Sequence, residues 1–269
     1  MKFQDRICVV TGGASGIGAA ICRAFDAQGA KLAVLDVDRD SGETFARSLR
    51  GAVFIECDVA DAASVKRAFE RIAQRWDRTD VLVNNAGIVG REEYGRVQTR
   101  RVQQIEDVRS GRKPGPLRAT VSLTDEQWRR MIDIHLNGTF YCTREALLQM
   151  ERLGQGAIVN MSSIAGLDGG FGNPHYAAAK AGILGFTRAV AKEAIQQGIR
   201  VNAVAPGFVD SPLRRSLSEA LQQLQIAATP MGRAATGDEI ASLVLFLASD
   251  DASYLVGETI SPNGGYLTI

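Results

Sequence analysis

The sequence predicts a single α/β domain of 269 residues: a doubly wound, parallel, seven-stranded sheet with helices on both faces. Three observations carry this expectation. Short β-branched runs alternate with longer amphipathic segments, the first run leads into a glycine-rich turn, and no repeat, low-complexity tract or linker divides the chain. Strands separated by helices imply βαβ units with right-handed crossovers, hence parallel pairing.

The strand patterns fall at residues 7–10, 31–35, 52–57, 80–83, 156–161, 200–204 and 258–261. Helix patterns occupy 16–28, 62–76, 125–152, 175–197 and 237–248. Residues 88–122 break this rhythm, being far longer than a usual connection between a strand and a helix. Eight positive residues (Arg91, Arg96, Arg100, Arg101, Arg109, Arg112, Lys113, Arg118) face four negative ones (Glu92, Glu93, Glu106, Asp107) in this basic insertion. It reads in three ways: a cover over the active-site cleft, a binder of an anionic substrate or partner, or a solvated excursion.

Composition excludes several classes. A hydrophobic content of 45% and a charged content of 23% are globular values, and a net charge of +1 offers no field for nucleic acid or an anionic membrane. No apolar run is long enough to span a bilayer. The N-terminal Met1-Lys2-Phe3-Gln4-Asp5-Arg6 has no signal h-region, so a cytoplasmic location is expected. Cys8, Cys22, Cys57 and Cys142 lie far apart in apolar segments and read as buried free thiols. His135 and His175 are the only histidines, so no metal site is expected.

Two motifs carry chemistry. Between the first strand and first helix stands Thr11-Gly12-Gly13-Ala14-Ser15-Gly16-Ile17-Gly18, a turn that lets the backbone approach a pyrophosphate at a helix N-terminus. In this setting it is the dinucleotide signature of a Rossmann fold. Asp36, closing the second strand, can accept the adenosine ribose hydroxyls and repels a 2′-phosphate, which favours NAD over NADP; nearby Arg39 works against that preference. Asp58 and Val59 after the third strand suit an adenine ring, and Asn84, Asn85, Ala86 and Gly87 after the fourth reach the same crevice. The second motif places Tyr176 one helical turn before Lys180, with Ser163 after an apolar strand. An ammonium on the same helix face lowers a phenol's pKa, and a serine hydroxyl can hold a substrate oxygen, so the three can move a proton on or off an alcohol or carbonyl. Tyr-x-x-x-Lys alone fits ordinary packing better than catalysis; the rest of the chain reverses that reading.

In their order along the chain, Thr11–Gly18, Asp58, Asn84–Gly87, Ser163, Tyr176, Lys180, Pro206-Gly207, Pro230-Met231-Gly232-Arg233 and Gly264-Gly265 resemble the short-chain dehydrogenase/reductase family, near its 3-oxoacyl reductase-like branch. The resemblance leaves out residues 88–122. It implies Tyr176 as proton donor or acceptor, Lys180 on the nicotinamide ribose, Ser163 rather than Ser162 on the substrate oxygen, and the Val209 backbone on the nicotinamide carboxamide. It places Ser211 where the family often has Thr, makes residues 210–228 a mobile lid, and implies a homotetramer. One departure is His135, where the family usually has an Asn whose carbonyl holds a relay water. A histidine keeps that carbonyl and could join the relay, or could simply pack; His175 could face the substrate cleft or cap its helix. The lid leucines Leu213, Leu217, Leu221 and Leu224 suit an apolar pocket or ordinary core packing.

The expected activity is NAD-dependent interconversion of a secondary alcohol and a ketone by hydride transfer, with Tyr176 as acid/base. The alternatives are NADPH-dependent reduction of a 3-oxoacyl thioester, which the basic insertion would serve, and a non-catalytic NAD sensor or scaffold on the same fold.

Overall fold

A computed structural model describes residues 1–215 and 219–268. Seven strands, β1 (Ile7–Thr11), β2 (Lys31–Asp36), β3 (Ala52–Glu56), β4 (Val81–Asn84), β5 (Gly156–Met161), β6 (Ile199–Val204) and β7 (Thr259–Ile260), form one sheet in the order β3-β2-β1-β4-β5-β6-β7. Every pairing is parallel. The chain runs outward from β1 through β2 to β3, then returns to β1's other side with β4. This reversal opens a crevice at the strands' carboxyl ends, where such folds bind ligands.

Strict alternation along the strands explains helices on both faces. Cys8, Val10, Leu32 and Val34 point to one core with α1 (Gly16–Ala27) and α11 (Gly237–Ala248), which supply Ile21, Phe25, Ile240 and Val244. Ile7, Val9, Ala33 and Leu35 point to the other, with α3 (Ala62–Trp76), α6 (Gly138–Leu153) and α8 (Pro174–Ala194), through residues such as Phe69, Ile72, Met150 and Ala191. Residues buried on both faces read in sequence as continuous apolar runs. A buried polar ladder ties the sheet to α8: Asn84 Nδ2 donates to Asn160 Oδ1 (2.8 Å), and Asn160 Nδ2 to Thr187 Oγ1 (2.9 Å).

The structure differs from the sequence expectations in several places, one of them a short helix after β5, α7 (Ala165–Asp168). Helix α2 (Arg39–Arg47) was not anticipated; its hydrophobic stripe is thin, and its signal is the Asp38 cap, which accepts the Ser41 N–H (3.0 Å). The helix expected at 125–152 is broken into α5 (Asp125–Ile132), a π-helical turn over Asp133–Asn137, and α6. The 88–122 insertion contains a helix, α4 (Arg91–Arg109). Residues 210–228 hold two short helices, α9 (Pro212–Arg215) and α10 (Glu219–Ala227). Leu217 lies outside the described residues, as does the side chain of Leu213. All four cysteines are free and buried, as expected, and burial pushes the Cys57 thiol up to about 12. Among the described residues no helix is long and apolar enough to cross a membrane.

Candidate active site

The glycine turn folds back onto the end of β4. Gly12 sits at φ +59°, and a Cβ there would lie 2.8 Å from the Ala86 Cα; a Cβ on Gly18 would lie 2.1 Å from the Gly12 carbonyl oxygen. Neither position has room for a side chain, so both glycines are needed for the turn to close. Asn85 locks it, its Nδ2 donating to the carbonyls of Thr11 (3.0 Å) and Gly12 (3.1 Å), while Thr11 Oγ1 accepts the N–H groups of Asn85 and Ala86. Ser15 precedes α1 without a side-chain cap, leaving first-turn N–H groups for an anion.

Above this turn opens a cleft of about 940 Å³, lined by Gly12, Ser15, Gly16, Ile17, Asp36, Asp58, Val59, Asn85, Ala86 and Gly87. Of the residues assigned to this crevice from the sequence, Gly18 packs beneath the cleft and Asn84 is buried behind it, bonded to Thr143 and Asn160; the others just named line it. The Asp36 carboxylate is fixed by the N–H groups of Ala14 (3.1 Å) and Asp38 (3.2 Å). Arg39, which could have offset it, is tied to Glu56 instead (Nε–Oε2 2.9 Å). These residues fit a dinucleotide.

Ser163, Tyr176, Pro206, Gly207 and Val209 line a second cavity of about 290 Å³. It shares Ile17, Val89 and Ser211 with the cleft, so the two spaces adjoin. Ser163 stands beside Tyr176, and its hydroxyl favours the ionised phenol. Ser162, by contrast, is buried and donates to the Lys180 carbonyl (2.8 Å), a structural role that leaves Ser163 as the available hydroxyl.

Lys180 lines neither space. It is buried, its Nζ donates to the Met161 carbonyl (2.8 Å), and that nitrogen lies 5.7 Å from the Tyr176 ring centroid. The shared helix face is as expected, but the electrostatics differ. Burial raises the Tyr176 phenol above its ordinary value, partly countered by the Ser163 hydroxyl. Burial also lowers the Lys180 ammonium to about 7, so this lysine is not the fixed cation that lowering the phenol requires.

His135 lies in the π-helical turn, buried, its ring edge-on to Tyr176 at 5.4 Å. Its Nε2 is held at the Ile88 backbone, 3.0 Å from the N–H and 2.8 Å from the carbonyl. Burial and the nearby Lys180 push its pKa well below the ordinary range, so it is a neutral wall beneath the phenol. Its own carbonyl accepts the Thr139 hydroxyl (2.7 Å). His175 is buried and lines neither space.

Sequence reasoning assigned no contact to Tyr94, Gln98, Phe171, Gln225 or Tyr266, all of which line the second cavity. A signal existed for α4: Tyr94, Val97, Gln98 and Arg101 recur at helical spacing and form one face. Their mixed polarity hid it.

The buried lysine generates a stability prediction. Between pH 7 and 10.5 the unfolded chain holds a proton on Lys180 that the native state has released, so stability rises with pH across that window and the penalty is complete below it. Lys180→Met should therefore melt above wild type at pH 7 and below, the gap closing as pH approaches 10.5. Differential scanning fluorimetry of the cofactor-free proteins measures this; a gap independent of pH would contradict it.

Comparison with known proteins gives the same family on independent grounds. Residues 6–110 match the family model described as short chain dehydrogenase, and residues 113–267 the one described as enoyl-(acyl carrier protein) reductase. The 3-oxoacyl-(acyl-carrier-protein) reductase FabG of Thermotoga maritima is 35% identical, with 98% of this chain and 99% of that protein covered. The cis-4-hydroxycyclohexanecarboxylate dehydrogenase of Sinomonas cyclohexanicum is 39% identical over 99% of this chain and 98% of its own. The crystal structure of gox2181 superposes with a TM-score of 0.85 at 32% identity, covering 98% of this chain and 96% of that one. With this fold, this site and these relatives, the chain belongs to the short-chain dehydrogenase/reductase family and is an oxidoreductase acting on CH–OH groups.

Proposed function

We propose that the protein interconverts a secondary alcohol and a ketone with NAD, using Tyr176 as the acid/base. The observation that carries this reading is that Ser163 and Tyr176 line one cavity that adjoins a cleft fitted to a dinucleotide. When bound, the nicotinamide supplies the acceptor or donor of the hydride. The protein's part is proton handling and placement. Ser163 donates to the substrate oxygen. In oxidation the hydroxyl proton passes to the Tyr176 oxygen as the carbinol C–H bond breaks and its electron pair leaves with the hydrogen; reduction runs the reverse. Lys180 holds the ribose and, once protonated, favours the phenolate. The neutral His135 ring keeps the phenol in place. The Val209 backbone, at the end of the segment after β6, meets the carboxamide. Helices α9 and α10 act as a lid, and the exposed Trp128, Phe140 and Leu148 of α5 and α6 give apolar surface for a homotetramer.

Tyr176→Phe should lower kcat by about three orders of magnitude or more while leaving the dissociation constant for NAD within a few-fold. Stopped assays of NADH formation and calorimetric titration separate the two effects; near-normal kcat would sink the assignment. Oxidation should accelerate as pH rises, since it needs the phenolate, and reduction should slow.

The NAD preference rests on Asp36 in the cleft and on Arg39 being held by Glu56. NAD should raise the melting temperature more than NADP at equal concentration, and Asp36→Ser should narrow the difference. A response to NADP alone would reverse the cofactor reading.

A second reading, reduction of a 3-oxoacyl thioester, is favoured by the FabG relative. The cis-4-hydroxycyclohexanecarboxylate dehydrogenase favours a small cyclic alcohol. A screen following NADH absorbance with both substrate types decides between them.

A further inference from the structure

Helix α4 sends Tyr94, Gln98 and Arg101 into the cavity that holds the Ser163–Tyr176 pair, and α9 sends Arg214. The rest of the wall is mostly apolar. Arg101 stacks on Phe171, its guanidinium carbon 4.1 Å from the ring centroid. Arg214 is braced by α10, donating from Nε to Gln225 Oε1 (3.2 Å) and from a terminal nitrogen to the Gln222 carbonyl (3.2 Å). Gln225 and Tyr94 line the same cavity, and the Tyr94 hydroxyl lies close enough to both Arg101 and Tyr176 to interact with each electrostatically. The two cations, Tyr94 and the Tyr176 phenol therefore share one small space.

Neither arginine forms an ion pair among the described residues. The acidic residue of the described lining is Asp168, and its Oδ1 is occupied by the Gly170 N–H (2.8 Å). Gln98 is buried and lines the same cavity. Two guanidinium groups, each partly buried and without an ion pair among the described residues, line a mostly apolar cavity and are open to a partner there. The partner that satisfies them is an anion able to take bidentate, charge-assisted hydrogen bonds. A cavity of about 290 Å³ admits a small molecule whole, so the anion belongs to the substrate itself. The phosphates of a carrier-bound thioester would lie a whole pantetheine arm away from the reacting carbonyl.

We propose that the cavity selects a small hydroxy acid, or the matching oxo acid, whose carboxylate lies between Arg101 and Arg214 while its alcohol carbon meets Ser163 and Tyr176. This rests on the oxidoreductase reading above. Arg101 and Arg214 set specificity, and the basic insertion thereby supplies part of the substrate site.

The test is calorimetric binding of benzoate and of benzamide to the full-length, NAD-loaded protein. Benzoate should bind roughly tenfold tighter or more. Arg101→Met and Arg214→Met should each remove about a tenfold share of that affinity and leave benzamide binding within twofold. Equal wild-type affinity for the two probes would overturn the proposal without recourse to any variant, and so would substitutions that weaken both alike. Kinetics then separate this inference from the one beneath it. Turnover of neutral secondary alcohols as efficiently as of short hydroxy acids would overturn the carboxylate site and leave the oxidoreductase intact. Selective benzoate binding without NADH formation from any hydroxy acid or neutral alcohol would overturn the oxidoreductase reading itself.

Discussion

Burial of Tyr176 is the constraint on which the site depends. The phenol lies beside Ser163 and against the edge of the His135 ring, with Lys180 one turn further along α8. Desolvation keeps the phenol protonated and also draws the lysine down to about 7, so the cofactor-free site holds two groups that both resist charge. A site in that condition is poised: any fixed charge brought beside it changes the protonation of both. The cost of burying Lys180 falls on stability, as is common where function requires a strained arrangement.

The sheet makes this arrangement possible. Its topological reversal between β1 and β4 opens the dinucleotide cleft, and β5 and β6 carry Ser163 and the Pro206–Val209 segment to the neighbouring cavity. Thr11 and Asn85 join the glycine turn to the end of β4, so the cleft's floor is rigid where a pyrophosphate would approach. Other walls of that cavity come from α4, α9 and α10, which are peripheral to the sheet. One scaffold can thus keep its chemistry while its specificity changes.

The fold and the grouping of the candidate site residues were legible in the sequence because each depends on local pattern. Alternation in β1 and β2, the glycine turn, and Tyr176 with Lys180 on one helix face are features of a few adjacent residues. What was hidden depends on long-range packing. The π-helical turn at Asp133–Asn137 interrupts a pattern that reads as one continuous helix. Helix α4 presents Tyr94, Gln98 and Arg101 inward, so its inner face is polar and its hydrophobic signal is weak. The charges of that segment were visible; their division between solvent and cavity was not. Likewise the direction of the Tyr176 and Lys180 shifts follows from their burial, which spacing along a helix does not reveal.

The most direct test of the central claim is a spectroscopic titration of Tyr176, read as the phenolate difference absorbance between wild type and Tyr176→Phe. The account predicts ionisation above the ordinary tyrosine value of 10.0 in the cofactor-free protein and a downward shift when NAD, with its positive ring, is added. Ionisation below that value without cofactor, or a titration that NAD leaves unmoved, would contradict it.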